Sequence, residues 1–233
     1  MAHEDIMKAM ADMGIVCEEI AARADDKPSM EQNLHMYRSF MEEIKIRMEA
    51  IDRFLKRIGD ERGGRDTFTD AEAAILQIRY ICELIALSTV AAHGLVGVTS
   101  RILKSWHAEE TFKLLEGVNV NSFPRAVRPS PTVKNNFELQ KGEMDLGELK
   151  MVYNTCGENL HRGAMKHFFK EARRAYDPEG LVGWVNRIKA LLNMHVVMIL
   201  EQGIVIYVTL SDDNGDVAVA YAQSDGPAVL IES

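Results

Sequence analysis

The residues best suited to chemistry in this chain gather in one string, YNTCGENLHRG, at positions 153–163. His161 is a candidate general acid or base, because an imidazole titrates near neutrality. Arg162 presents the planar fork that grips phosphate or carboxylate. A lone histidine at a helix end serves equally well as a cap or a packing residue. Glu158 and His161 form an E-x-x-H, which is half of a di-iron carboxylate site, but the sequence carries no second copy. Cys156 with His161 and His167 offers three metal ligands or a cysteine–histidine pair, with no fourth partner in view. There is no Walker loop, no GxGxxG and no GxSxG, so neither a cofactor nor a metal is expected. A second pair of candidates lies upstream. Arg79 and Glu83 are four residues apart and can pair along a helix. With Glu72 and His93 they mark a polar strip that either faces solvent or faces a site.

These groups need elements to hold them, and the central one is predicted over residues 70–96. Ile75, Ile78, Cys82, Ile85, Thr89, Ala92 and Val96 form one stripe at steps of three and four. Ala74, Ile81, Leu84, Ser88, Ala91 and Leu95 form another. A helix apolar on most of its surface must be covered on most of its surface. Thr67, or Thr69 with Glu72, is expected to cap it. A partner precedes it: Met30, Leu34, Tyr37, Met41, Ile44, Met48, Ile51, Leu55 and Ile58 alternate steps of four and three. That seam runs roughly 40 Å at 1.5 Å per residue. It can pack on the central helix or against a second chain as a coiled coil. Ser29 and Gln32 fit a capping box at its start.

Further helices are predicted over 4–24, 100–115, from Leu146 to the end of the YNTCGENLHRG string, and from Asp177-Pro178 to about Met194. Between them, 118–145 holds several prolines and asparagines and is expected to be irregular. It is also the most basic loop of the chain, through Arg125, Arg128 and Lys134, and is either solvated or an anion or RNA contact. The C-terminus is rich in Val and Ile, with turns at Gln202-Gly203, Asp213-Asn214-Gly215 and Asp225-Gly226-Pro227. Antiparallel strands are predicted near 195–200, 204–210, 216–222 and 228–231.

The 233 residues are 47% hydrophobic and 27% charged, the balance of a globular chain with a core of its own. A net charge of −8 argues against broad DNA binding, which depends on neutralising phosphates. The three cysteines, Cys17, Cys82 and Cys156, are scattered and odd in number, which fits a reducing, cytoplasmic compartment. The N-terminus lacks the basic-then-apolar layout of a signal peptide. The longest apolar run, Ile81 to Val98, is interrupted by Glu83, Ser88, Thr89 and His93, so a buried helix is expected and no membrane partner.

A tyrosine-bearing helix that ends in a short motif before Leu160-His161 resembles the HEPN superfamily, over roughly residues 65–165. SFPRAV and TCGENLH also resemble strings in a set of uncharacterised bacterial proteins. HEPN proteins are helical bundles, many of them dimeric ribonucleases, whose motif is an arginine, then four to six residues, then a histidine. The resemblance implies that His161 is that histidine, polarising a ribose hydroxyl. The arginine departs from the pattern. Counting back from His161, positions five, six and seven are Cys156, Thr155 and Asn154. Arg79 or Arg162 would have to substitute for it in stabilising phosphate charge.

The expectation is therefore an α+β protein. A helical bundle with long antiparallel helices spans 1–194, and a small antiparallel sheet spans 195–233. Its leading function is a HEPN-like protein- or RNA-binding module, non-catalytic or partner-regulated, acting as a homodimer, with His161, Arg162, Arg79 and Glu83 at its site. The alternatives are a ribonuclease that uses a displaced arginine, and an interaction protein that assembles through the 30–58 seam.

Overall fold

A computed structural model describes residues 29–60, 66–94, 108–117, 119, 121–130, 137–160 and 177–225. Two long helices, α1 (Met30–Asp60) and α2 (Asp66–His93), form its spine. Ser29 and Gln32 make the expected reciprocal cap: the Ser29 N–H donates to Gln32 Oε1 at 2.8 Å, and the Gln32 N–H to Ser29 Oγ at 3.2 Å. Three contacts fix the helices as antiparallel. Arg57 Nε donates to Asp70 Oδ2 at 2.8 Å, and Arg47 Nη1 to Gln77 Oε1 at 2.7 Å. Asn33 lies against Gly94 so closely that a Cβ there would come within 2.7 Å of Asn33 Oδ1.

The α1 seam is spent on this pairing. Tyr37, Met41, Ile44, Met48, Ile51 and Ile58 are buried within the chain, together with Ile75, Ile78, Ile81 and Ile85 of α2. No uncovered stripe is left among the described residues of α1 for a coiled-coil partner. The helix α2 begins earlier than the sequence suggests, so Thr67 and Thr69 lie inside its first turns and neither is its cap. By length and composition its Thr67–His93 portion could cross a membrane, but most of it is buried inside the fold.

Shorter helices complete the cover. These are α3 (Ala108–Glu116), α4 (Leu146–Leu160) and α5 (Pro178–Asn193). The inward residues of α4 are Leu149, Val152, Tyr153 and Cys156, in the expected helical spacing. Asp177 caps α5 by accepting from the Glu179 N–H at 3.1 Å, with Pro178 at the first helical position.

The sheet has five strands in the order β2-β1-β3-β4-β5, every pair antiparallel. Strands β3 (Met194–Ile199), β4 (Ile204–Thr209) and β5 (Ala218–Gln223) meet the expectation for the C-terminus. Strands β1 (Arg125–Pro129) and β2 (Phe137–Leu139) correct it, for they arise within 118–145, the segment expected to be irregular. Strand β1 pairs with the distant β3, with Arg125 opposite Val196 and Ala126 opposite His195, and β2 pairs with β1. One face of the sheet, through Val197, Ile199, Ile204, Ile206 and Val208, joins the helices in a single core. The helix at 4–24, the 100–107 portion of the helix expected over 100–115 and the strand at 228–231 lie outside the described residues.

Candidate functional site

Arg79 and Glu83 come together as their spacing predicts, with Arg79 Nε 3.4 Å from Glu83 Oε1. The rest of their surroundings comes from α4. Arg79 Nη2 donates to the Tyr153 hydroxyl at 2.8 Å, and the guanidinium carbon lies 4.3 Å from the centre of the Tyr153 ring. The Tyr153 hydroxyl in turn bonds to Glu83. Burial pushes this phenol above its ordinary pKa; Arg79 opposes the shift and Glu83 adds to it, so the proton stays. One turn further along α4, Gly157 makes the space that Arg79 fills: a Cβ there would lie 2.5 Å from Nη1. The Arg79 and Glu83 side chains keep 25% and 32% of their exposure, so the group is an edge of the surface rather than core.

His161 and Arg162, the residues that follow Leu160 in sequence, lie outside the described residues, as do His167 and Lys134. Cys156 is buried, and burial pushes its thiol up to about 12, against the pull of Arg79. Its neighbour in electrostatic terms, Cys82, is likewise raised by burial. Neither is the low-pKa thiolate that nucleophilic or ligating cysteines provide.

His93 departs from the expected polar strip. It is buried, with Nδ1 donating to the Thr89 carbonyl at 2.7 Å and Nε2 accepting from Asn119 Nδ2 at 2.8 Å. The same Asn119 amide donates to the Met198 carbonyl, tying α2 to β3. A second buried pair had no signal in the sequence: Tyr37 and His195, 2.8 Å apart, with His195 Nδ1 donating to the Leu192 carbonyl at 3.0 Å. Both histidines are structural links, and neither faces solvent.

The basic loop divides. Arg128 pairs with Glu138 across the β1–β2 hairpin at 3.2 Å. Arg125 is half-buried in a cleft beside that hairpin, and its side chain makes no hydrogen bond or ion pair among the described residues. Three or more His, Cys, Asp or Glu side chains are nowhere grouped as metal ligands among the described residues. Comparison with protein-family models, curated proteins and solved structures gives no match to this chain.

Proposed function

We propose that the chain is a HEPN-like bacterial protein of the cytoplasm that binds RNA or a protein partner as a homodimer, without constitutive nuclease activity. One observation carries this reading. An arginine packed beside the motif end of α4, Arg79, has its charge engaged by Glu83 and one arm of its fork engaged by Tyr153. A guanidinium that must stabilise the charge of a phosphoryl transition state needs donors aimed at the substrate. Here Nε and Nη2 are taken up by Glu83 and Tyr153, and freeing them requires a partner that displaces Glu83.

A second reading, a ribonuclease with a displaced arginine, is favoured by Gly157. The missing side chain lets the Arg79 guanidinium occupy the surface of α4 four residues ahead of His161. A neighbouring helix would then supply what the motif lacks.

The test is cleavage and gel retention of a labelled single-stranded RNA by wild-type protein, His161→Ala and Arg79→Ala, with the mass in solution measured on each. The expected result is no cleavage, a dimeric mass, and RNA retention that Arg79→Ala does not weaken, because its donors are already engaged within the chain. Cleavage by wild type that both substitutions abolish, at unchanged mass and helicity, establishes the nuclease instead. A dimer that neither cuts nor retains RNA leaves the protein partner as the ligand.

A further inference from the structure

The cleft bounded by β1, β2 and the segment leading into α4 has a volume of about 1150 Å³. That is ample for a small molecule, since ligand pockets commonly run to roughly 300–1,000 Å³. Phe123, Leu139, Met144 and Leu146 give it apolar wall. Charged groups around it are largely engaged. Arg128 holds Glu138, Lys150 holds Glu116 at 3.1 Å, and Asp145 accepts from the Glu148 N–H at 2.8 Å. Lys141 also has a partner.

Arg125 and Glu143 are the exceptions. Both are half-buried and both line the cleft. Among the described residues neither side chain makes a hydrogen bond, and no ion pair within 4.0 Å joins them. They are nonetheless near enough for Arg125 to act on the Glu143 carboxyl, which burial raises and which Arg125 and Arg187 pull back. Ser122, also on the wall, has a buried hydroxyl with no partner. Charged groups partly withdrawn from water and left unpaired are costly, and a ligand that pairs them recovers that cost.

We propose that this cleft binds a small zwitterion of the α-amino-acid class, with its carboxylate on Arg125, its ammonium on Glu143 and an apolar side chain on the Phe123–Leu139 wall. The charge pattern selects that class. A phosphate or simple carboxylate drawn to Arg125 meets the repulsion of Glu143. A simple cation drawn to Glu143 meets Arg125. A zwitterion satisfies both at once, and Arg125 can take its carboxylate in a two-pronged bond. The inference stands apart from the RNA-binding reading, since it uses neither Arg79 nor the α4 motif.

The test is calorimetric titration of the full chain with L-leucine, L-methionine and L-phenylalanine, up to roughly 10 mM so that millimolar binding registers. At least one of them should bind. Its N-acetyl derivative, which lacks the ammonium, and its amide, which lacks the carboxylate, should each bind about tenfold more weakly or not at all, the scale of one lost charge-assisted bond. Arg125→Gln should cancel the preference for the free carboxylate, and Glu143→Gln the preference for the free ammonium, with circular dichroism unchanged. Binding of none of the three overturns the proposal. So does binding in which the blocked derivatives match the parent, a result independent of how either variant folds.

Discussion

Tyr37 and His195 stand 158 positions apart and meet in a fully buried hydrogen bond of 2.8 Å. With Nδ1–H on the Leu192 carbonyl, the Nε2 lone pair is left to accept from the Tyr37 hydroxyl, which fixes the neutral tautomer. Burial holds the His195 pKa down at about 4, against the small opposing effect of the Leu192 carbonyl. The sign follows from which state takes the proton. Above about pH 6.5 the imidazole is neutral in both states and contributes no pH dependence. Below it the unfolded chain binds a proton that the folded chain refuses, so stability falls until the pH reaches about 4. His93, also lowered by burial, acts in the same sense. The expected loss from His195 is about 1.4 kcal/mol for each pH unit well inside that window. Urea unfolding between pH 7 and 4.5 measures it, and His195→Gln should remove that share of the slope. An unaltered slope would place the acid sensitivity elsewhere.

At the scale of elements, the two faces of α2 make a sharp contrast. Ile85 is fully buried, whereas Leu87, two residues on, keeps 44% of its exposure. Ile85→Ala removes core contacts on a helix enclosed by its neighbours and should cost about 2–5 kcal/mol. Leu87→Ala should cost roughly 0.5 kcal/mol or less, since alanine is the better helix former and little burial is lost. Denaturant midpoints of the two variants decide it, and comparable losses would mean that α2 is packed on both sides. Elements of this kind were legible in the sequence because their cause is local. The 3.6-residue period, the Ser29–Gln32 box and Asp177-Pro178 all act within a few positions, and α1, α4 and α5 follow from them. Strands β1 and β2 were not legible. They are five and three residues long, β1 ends in a proline, and the strand that holds β1 in the sheet is some seventy positions away in β3. His93 misled for the same reason: its place on a helical wheel says polar, but Asn119 from a later loop satisfies it and lets it be buried. Half of the candidate site, Arg79 with Glu83, was readable from their spacing; Tyr153 and Gly157 became part of it only once α4 lay on α2.

For the molecule as a whole, the division at residue 194 that composition suggests does not coincide with any break in packing. The composition changes there from helix-forming to strand-forming, but the core runs through it. Ile188 and Leu192 of α5 share one cluster with Val197 of β3, Ile206 of β4 and Met41 of α1. Strand β1, from the helical portion of the chain, has β3 as a neighbour in the sheet, and Asn119 reaches the Met198 carbonyl. Removing 195–233 therefore strips hydrogen bonds from β1, uncovers apolar surface of α1 and α5, and leaves the Tyr37 hydroxyl without its acceptor. Buried groups that lose a partner cost about 1–3 kcal/mol each, against a total stability of about 5–15 kcal/mol for a domain. A chain of residues 1–194 should consequently lose its cooperative thermal transition rather than survive as a smaller bundle, while the full chain unfolds in one step. Circular dichroism melts of the two chains make the comparison. A truncated chain that keeps its helicity and melts sharply would mean that the helices carry their own core and that the sheet is an appendage.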